Sequence, residues 1–214
     1  MTIEQLENNG YLGIQSSFTW TIYGISWRKF ISMGEYMSHV SSQFVPLNVA
    51  VLTVSDTRTP ETDTSGQFLV DQLASAGHKV VERLILKDNL YQIRAQVAKW
   101  IASDDIHVVL TTGGTGFTDR DSTPEAVSCL FDQHVEGFGE LFRQISYTEI
   151  GTSTIQSRAL AGLSNHTLIC CMPGSTNACR TAWQGILKDQ LDATHKPCNF
   201  VTHLGKKTAC TGRG

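Results

Sequence analysis

The chain has 214 residues, of which 41% are hydrophobic and 17% charged, and this composition is typical of a folded globular protein rather than a disordered one. Its formal net charge of −3 gives no general attraction to nucleic acid or to an anionic membrane, so neither is expected as a partner. The sequence contains no run of about 20 apolar residues, the length that a membrane-spanning helix requires. We therefore expect a cytoplasmic protein whose binding of any anionic ligand depends on a local site.

The cysteines also favour a reducing compartment. None of the six forms a Cys-x-x-Cys pair, and Cys170-Cys171 lies within an apolar run. Zinc sites and disulfide frameworks need closer, paired spacing. We expect reduced thiols that pack as small hydrophobic side chains.

Residues 1–36 differ from the rest of the chain, because their aromatic residues are scattered and no helix or strand period is sustained. The patterned region begins just after Met37. We hypothesise that Met37 is the biological start and that residues 1–36 are a non-native or disordered extension. A genuine N-terminal arm that docks on a partner subunit is the alternative. Residues 37–204 then form one domain, and residues 205–214 a flexible C-terminal tail.

Strand and helix patterns alternate from Asn48 onwards. The first half predicts strands at 48–55, 79–86 and 107–112, separated by helices at 66–76 and 89–102. The second half predicts a helix opening at 123–124, a helical stretch at 138–147, a strand at 167–172 and a last helix that includes residues 183–187. This alternation predicts an α/β fold with a largely parallel sheet and helices on both faces.

In such sheets, ligands bind beyond the carboxyl ends of the strands. The loops at 55–66, 112–123 and 173–177 each follow a buried strand and lead into a helix. Within the second of these, residues 111–116 (TTGGTG) combine three threonine hydroxyls with three glycines. Glycines permit positive φ and close approach of a ligand, and backbone amides in a concave turn bind anions. The turn lacks the lysine of a Walker A loop, and a tight strand-to-helix turn without a ligand explains it equally well.

Carboxylates surround this glycine turn. Asp119 and Asp121 follow it, Asp88 follows the second strand, and Asp56 and Asp63 flank the first loop. Carboxylates beside a phosphate site repel the ligand unless a cation lies between them, and Mg²⁺ commonly joins one or two carboxylates to substrate phosphates. Each aspartate could instead solvate a loop or cap a helix. Their convergence at one edge of the sheet favours a metal–nucleotide site.

One cation is a candidate for the same ligand. Arg158 follows Ser157 in a polar segment and could hold a phosphate in bidentate fashion, or could form a surface salt bridge. Arg120 and Arg180 are weaker candidates.

Together these residues resemble the molybdopterin-binding family of molybdenum cofactor biosynthesis, and the likeness is greatest to its B branch. The motifs follow family order across residues 40–204. They are 54–56 (VSD), 63–66 (DTSG), 111–116 with Asp121 and 123–125 (TPE), 136–140 (EGFGE), 156–158 (QSR) and 172–175 (MPGS), with 150–154 (IGTST), 178–183 (ACRTAW) and 197–200 (PCNF) for the B branch.

The resemblance implies a three-layer α/β/α subunit that assembles as a homotrimer or as a hexamer. It implies a pocket for molybdopterin, a pterin that carries a dithiolene and a terminal phosphate. Catalytic members transfer AMP from Mg-ATP to that phosphate, and the product passes to a molybdate-inserting protein. A protein that binds molybdopterin or a nucleotide without turnover is the alternative.

The resemblance also implies roles for individual residues. Asp121 and Asp88 resemble the catalytic aspartates that act with Mg²⁺, and would hold the metal. The expected ligand-binding residues are Ser55, Asp56, Thr112, Gly113, Gly114, Thr115, Gly116, Ser157, Arg158, Pro173, Gly174 and Ser175.

Overall fold

The computed structural model describes Ser41 and residues 43–205. The predictions about residues 1–36 and about the tail beyond Gly205 lie outside the described residues.

The strands of this region form one sheet in the order β2-β1-β3-β6-β5-β4. Their bounds are β1 Asn48–Val54, β2 Lys79–Leu86, β3 Val108–Thr112, β4 Gln133–His134, β5 Leu160–Ser164 and β6 Thr167–Met172. Strands β2, β1, β3 and β6 are parallel to one another, whereas β5 pairs antiparallel with β6, and β4 antiparallel with β5, at one edge. The order reverses at β1, so that the loops after β1 and β3 diverge at a topological switch point, where open α/β sheets bind ligands.

Three of the six helices in the described residues begin with a side-chain cap. The six helices are α1 Thr64–Ser75, α2 Leu90–Ile101, α3 Thr123–Ser128, α4 Glu136–Ile150, α5 Thr176–Ala182 and α6 Lys188–Gln190. A π-helical turn, Trp183–Leu187, joins α5 to α6, and 3₁₀ turns occupy Gly151–Gln156 and Val201–His203. The side chains of Asp63, Asn89 and Ser175 each accept a hydrogen bond from a backbone N–H in the first turn of α1, α2 and α5. None of these helices is long and apolar enough to cross a membrane.

Two hydrophobic clusters cover the two faces of the sheet. Along β1, Val49 and Val51 join the cluster that contains residues of α1 and α4, whereas Ala50 and Leu52 join the one that contains α2. All four side chains are fully buried. Because successive residues of a strand face opposite sides, a strand that is apolar throughout needs a layer of helices on each face. The predicted three-layer α/β/α fold with a mostly parallel sheet is confirmed.

The sequence patterns did not predict β4 and β5. Strand β5 pairs antiparallel with β6 through a tight turn in which Asn165 and His166 adopt φ values of 46° and 63°. Asparagine and histidine are among the non-glycine residues found most often in this left-handed conformation, but the turn lacks the Asn-Gly pair that is the strongest sequence signal of a short hairpin. Gly162 of β5 lies against the Phe131 ring, and a Cβ at this position would overlap the ring. Neither feature is part of a sequence pattern that predicts an edge strand.

Candidate functional site

A cleft of about 470 Å³ opens at the carboxyl ends of β1, β3 and β6. Its floor is formed by residues 53–55, 112–116 and 173–175, and its wall by the C-terminal half of α4, the 3₁₀ turn after it and the first turns of α5. These strands are adjacent in the parallel part of the sheet, which is why loops distant in sequence meet here.

The glycine turn depends on the conformations that only glycine adopts freely. Gly113 and Gly114 have φ values of +100° and +64°. A Cβ on Gly113 would overlap the carbonyl oxygen of Val54, so this turn and the end of β1 could not approach each other with any other residue. Two of the three glycines of the turn therefore adopt the positive φ that the sequence permits.

Backbone amides of the turn divide into two sets. The Gly113 N–H donates to the Met172 carbonyl at 3.0 Å and therefore continues the sheet. The Thr123 N–H and hydroxyl donate to the carbonyls of Gly114 and Gly113, each at 2.9 Å, and lock the turn. The N–H groups of Gly114 and Thr115 donate to no atom of the described residues, and both residues line the cleft. Unpaired amides in a concave turn are typical of anion sites.

Asp121 lies at the far end of the turn and lines the cleft. Its Oδ2 accepts hydrogen bonds from the Thr118 hydroxyl at 2.6 Å and the Thr118 N–H at 3.0 Å. These bonds, a bond from the Gly116 backbone and the nearby Arg158 guanidinium hold the pKa of Asp121 below its ordinary value. Asp121 is therefore ionised at neutral pH.

Asp88 lies behind the turn rather than in the cleft lining. Its Oδ1 accepts hydrogen bonds from the Ser122 hydroxyl at 2.5 Å and the Ser122 N–H at 3.1 Å. A Cβ on Gly114 would lie 2.5 Å from the other carboxylate oxygen, Oδ2. The two predicted catalytic aspartates thus border the glycine turn, Asp88 beside Gly114 and Asp121 beside Gly116.

A divalent cation would need oxygen ligands from elsewhere. Among the described residues no group of three or more His, Cys, Asp or Glu side chains is placed to hold a metal ion. Two carboxylates leave most of an octahedral shell to phosphate oxygens and water, an arrangement that suits Mg²⁺ with a phosphate ligand.

Arg158 braces the turn and does not line the cleft. Its Nε donates to the Thr115 carbonyl at 3.3 Å and its Nη2 to the Asp121 carbonyl at 2.8 Å, while its Nη1 pairs with Glu125. The guanidinium also lies 5.2 Å from the centre of the Phe117 ring. All three nitrogens are engaged, so in this structure Arg158 positions the glycine turn.

Other predicted ligand residues have varied surroundings. Ser55 and Ser157 line the cleft, and the buried hydroxyl of Ser157 has no hydrogen-bond partner among the described residues. Such a group usually meets a water molecule or a ligand. Asp56 lies outside the cleft lining and pairs with the exposed Arg120 at 2.7 Å. Thr111 is fully buried in the sheet and also lies outside the lining.

The loop after β6 completes the floor. Thr112 donates its hydroxyl to the Pro173 carbonyl at 3.0 Å, and a Cβ on Gly174 would lie 3.1 Å from the Gly113 Cα. Ser175 lines the cleft while its hydroxyl oxygen accepts the Ala178 N–H. The structure therefore brings residues 112–116 and 173–175 together, as the sequence motifs predict.

Arg58 is the basic residue of the cleft that the sequence did not indicate. It is the sole Lys, Arg or His among the side chains that line the cleft in the described residues. Its Nη2 donates to the Gly174 carbonyl and its Nη1 to the Ser65 hydroxyl, both at 3.3 Å, and Nη1 lies 3.6 Å from the Asp63 carboxylate. The sequence feature that could have indicated Arg58 is its position in the loop after β1.

The buried carboxylate of Asp63 forms an ion pair with Arg58. The carboxylate caps α1 by accepting the Gly66 N–H at 2.9 Å, and Arg83 and Thr53 donate to it at 2.9 Å and 2.8 Å. Burial opposes ionisation, but these hydrogen bonds outweigh it and hold the pKa of Asp63 below its ordinary value. The helix cap considered for Asp63 from sequence is confirmed.

The comparisons with known proteins agree with this geometry. Residues 50–193 match a family model described as a probable molybdopterin binding domain. Molybdenum cofactor biosynthesis protein B of Escherichia coli (strain K12) is 61% identical over 170 residues, which cover 79% of this chain and 100% of that protein. The protein of the same name from Bacillus cereus is 49% identical over 142 residues, 66% of this chain and 84% of that protein.

Solved structures show the same likeness. A crystal structure of a molybdenum cofactor biosynthesis protein B has a TM-score of 0.67 and 47% identity, and the match covers 69% of this chain and 92% of that one. The tungsten cofactor synthesizing protein MoaB from Pyrococcus furiosus has a TM-score of 0.59 and 34% identity, with 65% and 89% covered. The chain belongs to the molybdopterin-binding family of molybdenum cofactor biosynthesis proteins.

Proposed function

We propose that the cleft binds molybdopterin and that the chain catalyses or assists the adenylylation of its terminal phosphate by Mg-ATP. The observation that carries this proposal is the pair of free amides, those of Gly114 and Thr115, at a turn bordered by two carboxylates. An anion site beside two carboxylates is favourable when a divalent cation is bound with the phosphates.

The reaction requires positioning and charge neutralisation more than covalent work by the protein. An oxygen of the terminal phosphate attacks the α-phosphorus of ATP, and the bond to the departing pyrophosphate breaks. Gly114 and Thr115 would orient the phosphate through their N–H groups, and Arg58 would neutralise charge on it from the opposite side of the floor. Asp121 and Asp88 would hold Mg²⁺, which supplies neutralisation of the nucleotide phosphates.

A second function is favoured by the environment of Asp88. Its Oδ1 is occupied by Ser122, and the residue lies outside the cleft lining. A protein that binds molybdopterin or a nucleotide and passes it on without turnover needs the glycine turn and Arg58 but no metal-bound Asp88. In either case we propose a homotrimer or a hexamer as the assembly and a molybdate-inserting protein as the recipient of the product.

The two functions are separated by incubating purified protein with molybdopterin and Mg-ATP and measuring adenylylated pterin and pyrophosphate. Asp121→Asn should lower the rate about 10²- to 10³-fold, because it removes one placed electrostatic contributor. Asp119, in the same loop, is exposed and lies outside the cleft lining, so Asp119→Asn is the matched control and should keep the wild-type rate. Binding without product would exclude the enzyme and leave the binding protein, and full activity in Asp121→Asn would remove that residue from the mechanism.

A further inference from the structure

One charged side chain of the cleft has no role in the chemistry at the glycine turn. Glu149, on the last turn of α4, lines the cleft wall opposite the first turns of α5. Asn177 donates its amide to Oε2 at 2.7 Å, and the Thr181 hydroxyl lies 3.2 Å from each carboxylate oxygen. No basic side chain of the described residues pairs with this carboxylate, which is the second acidic group of the cleft besides Asp121.

Glu149 retains capacity for further hydrogen bonds. An ionised carboxylate offers about four lone-pair positions. Asn177 uses one of them, and the single proton of Thr181 is shared with a third acceptor, the Asn177 carbonyl at 3.0 Å. Each carboxylate oxygen can therefore accept one more donor, and two donors side by side would satisfy both.

Glu149 and Arg58 lie at different places along the cleft. Arg58 contacts Gly174, just before α5, whereas Glu149 contacts Asn177 and Thr181, which span about 6 Å of that helix. The cleft thus presents free amides and a cation at its floor and a carboxylate acceptor farther up its wall. A ligand with a phosphate at one end and paired N–H donors at the other matches both ends.

The surfaces beside Glu149 suit a flat ring. Ile150, half exposed, and Ala178 line the cleft next to it. A heterocycle that stacks on this apolar wall would direct its edge at the carboxylate. Planar, parallel N–H donors pair with a carboxylate in bidentate fashion, and such charge-assisted pairs are about twice as strong as neutral hydrogen bonds.

We propose that Glu149 is a specificity-determining residue that accepts two hydrogen bonds from a 2-amino-4-oxopyrimidine edge. Pterin and guanine rings share this edge, in which a ring N–H stands beside an exocyclic amino group. The inference rests on the proposed function of the cleft. It adds which edge of the ring the protein recognises. A carboxylate rejects a ring with a carbonyl in place of the amino group, because two acceptors then face each other.

The test measures binding of four ligands in pairs that differ at this edge. The pairs are 6-hydroxymethylpterin phosphate with its 2-oxo analogue, the lumazine, and GMP with IMP, which lacks the amino group. Wild-type protein should prefer the amino-bearing member of one pair by about 10- to 100-fold, the value of a hydrogen bond to a charged group. The pair with the larger preference identifies the ring as pterin or guanine.

Two variants locate the effect. Glu149→Gln should bring the preference close to unity, because the amide offers one acceptor instead of two. Glu140→Gln, exposed on the same helix and outside the cleft lining, should keep it. A Glu149→Gln protein that melts at a lower temperature but keeps the wild-type preference would show that Glu149 only holds α4 against α5, and would overturn the proposal.

The remaining outcomes distinguish the proposal from the function on which it rests. Equal wild-type affinity for both members of each pair overturns the role of Glu149 and leaves the cleft as a binding site for phosphorylated rings. Binding of none of the four ligands overturns both.

Discussion

Replacing Asp63 by Asn removes the charge from the carboxylate that lies under the cleft. Asp63 is 1% exposed and joins two arginines, Arg83 at 2.9 Å and Arg58 at 3.6 Å. Asn keeps a side-chain oxygen for the Gly66 N–H, and it is as good a helix cap as Asp. The substitution therefore isolates the electrostatic contribution from the cap.

The structure allows the cost to be approximated. Removing one partner of a buried ion pair costs about 3–5 kcal/mol, because a charge is left uncompensated. Here the arginine side chains are 23% and 28% exposed, so water solvates part of the charge that is left. We expect a loss of about 2–3 kcal/mol in the free energy of unfolding for Asp63→Asn. Asp63→Ala should cost about 1 kcal/mol more, because the cap is also lost.

Urea unfolding at pH 7 measures these differences, and Asp71→Asn is the matched control. Asp71 is exposed on α1 and accepts a hydrogen bond from Gln67, so its substitution should change stability by less than about 0.5 kcal/mol. If Asp63→Asn also stays within that range, the ion pair contributes nothing measurable and the reasoning is refuted.

The pH dependence gives a second check on the same residue. The pKa of Asp63 is lowered on folding, so its contribution is fully present above the unfolded pKa of about 3.9. The contribution is lost as the pH falls through the folded pKa. The difference in stability between wild type and Asp63→Asn should therefore be constant near neutral pH and should shrink below about pH 4. A difference that grows on acidification would contradict the assigned sign.

Two further predictions concern the glycine turn and the thiols. Gly114→Ala places a Cβ within 2.5 Å of a carboxylate oxygen at a φ of +64°, so it should destabilise the protein by at least about 1–2 kcal/mol and weaken binding of pterin phosphates. Gly137→Ala, where a Cβ meets open space, should do neither, and equal melting temperatures for the two variants would contradict the assigned strain. Burial raises the pKa of Cys179 to about 11, so iodoacetamide at pH 8 should modify the exposed Cys129 and Cys198 in native protein and spare Cys179. Peptide mapping by mass spectrometry checks this pattern, and early labelling of Cys179 would show that the packing of α5 against the core opens.

The sequence predicted the parallel half of the sheet because its strands carry strong local signals. Residues 48–54 and 167–172 are apolar on both faces, which only a central strand between two helical layers accommodates. The edge strands escaped prediction for the opposite reason. Strand β4 has two residues, and β5 holds a glycine that is explained by the Phe131 ring rather than by its own neighbours in sequence.

The roles of the charged residues could not be read from motifs, because they depend on side-chain contacts that form only in the folded chain. Arg158 has the expected sequence context for a phosphate ligand, but its three nitrogens hold the loop of Asp121 and Glu125. Arg58 has no motif of its own beyond its loop, yet it lines the cleft, where its guanidinium contacts the Gly174 carbonyl and the buried Asp63. Glu149 entered the site because α4 packs against α5.

By itself the sequence determined the alternation of strands and helices, the glycine turn with its positive φ, and the family. These follow from hydrophobic period, from the special backbone of glycine and from motif order, which are all local properties. Tertiary structure alone decided which amides of the turn stay free and which arginine faces the cleft, because those outcomes depend on pairings between loops more than 50 residues apart, such as Arg58 with Gly174.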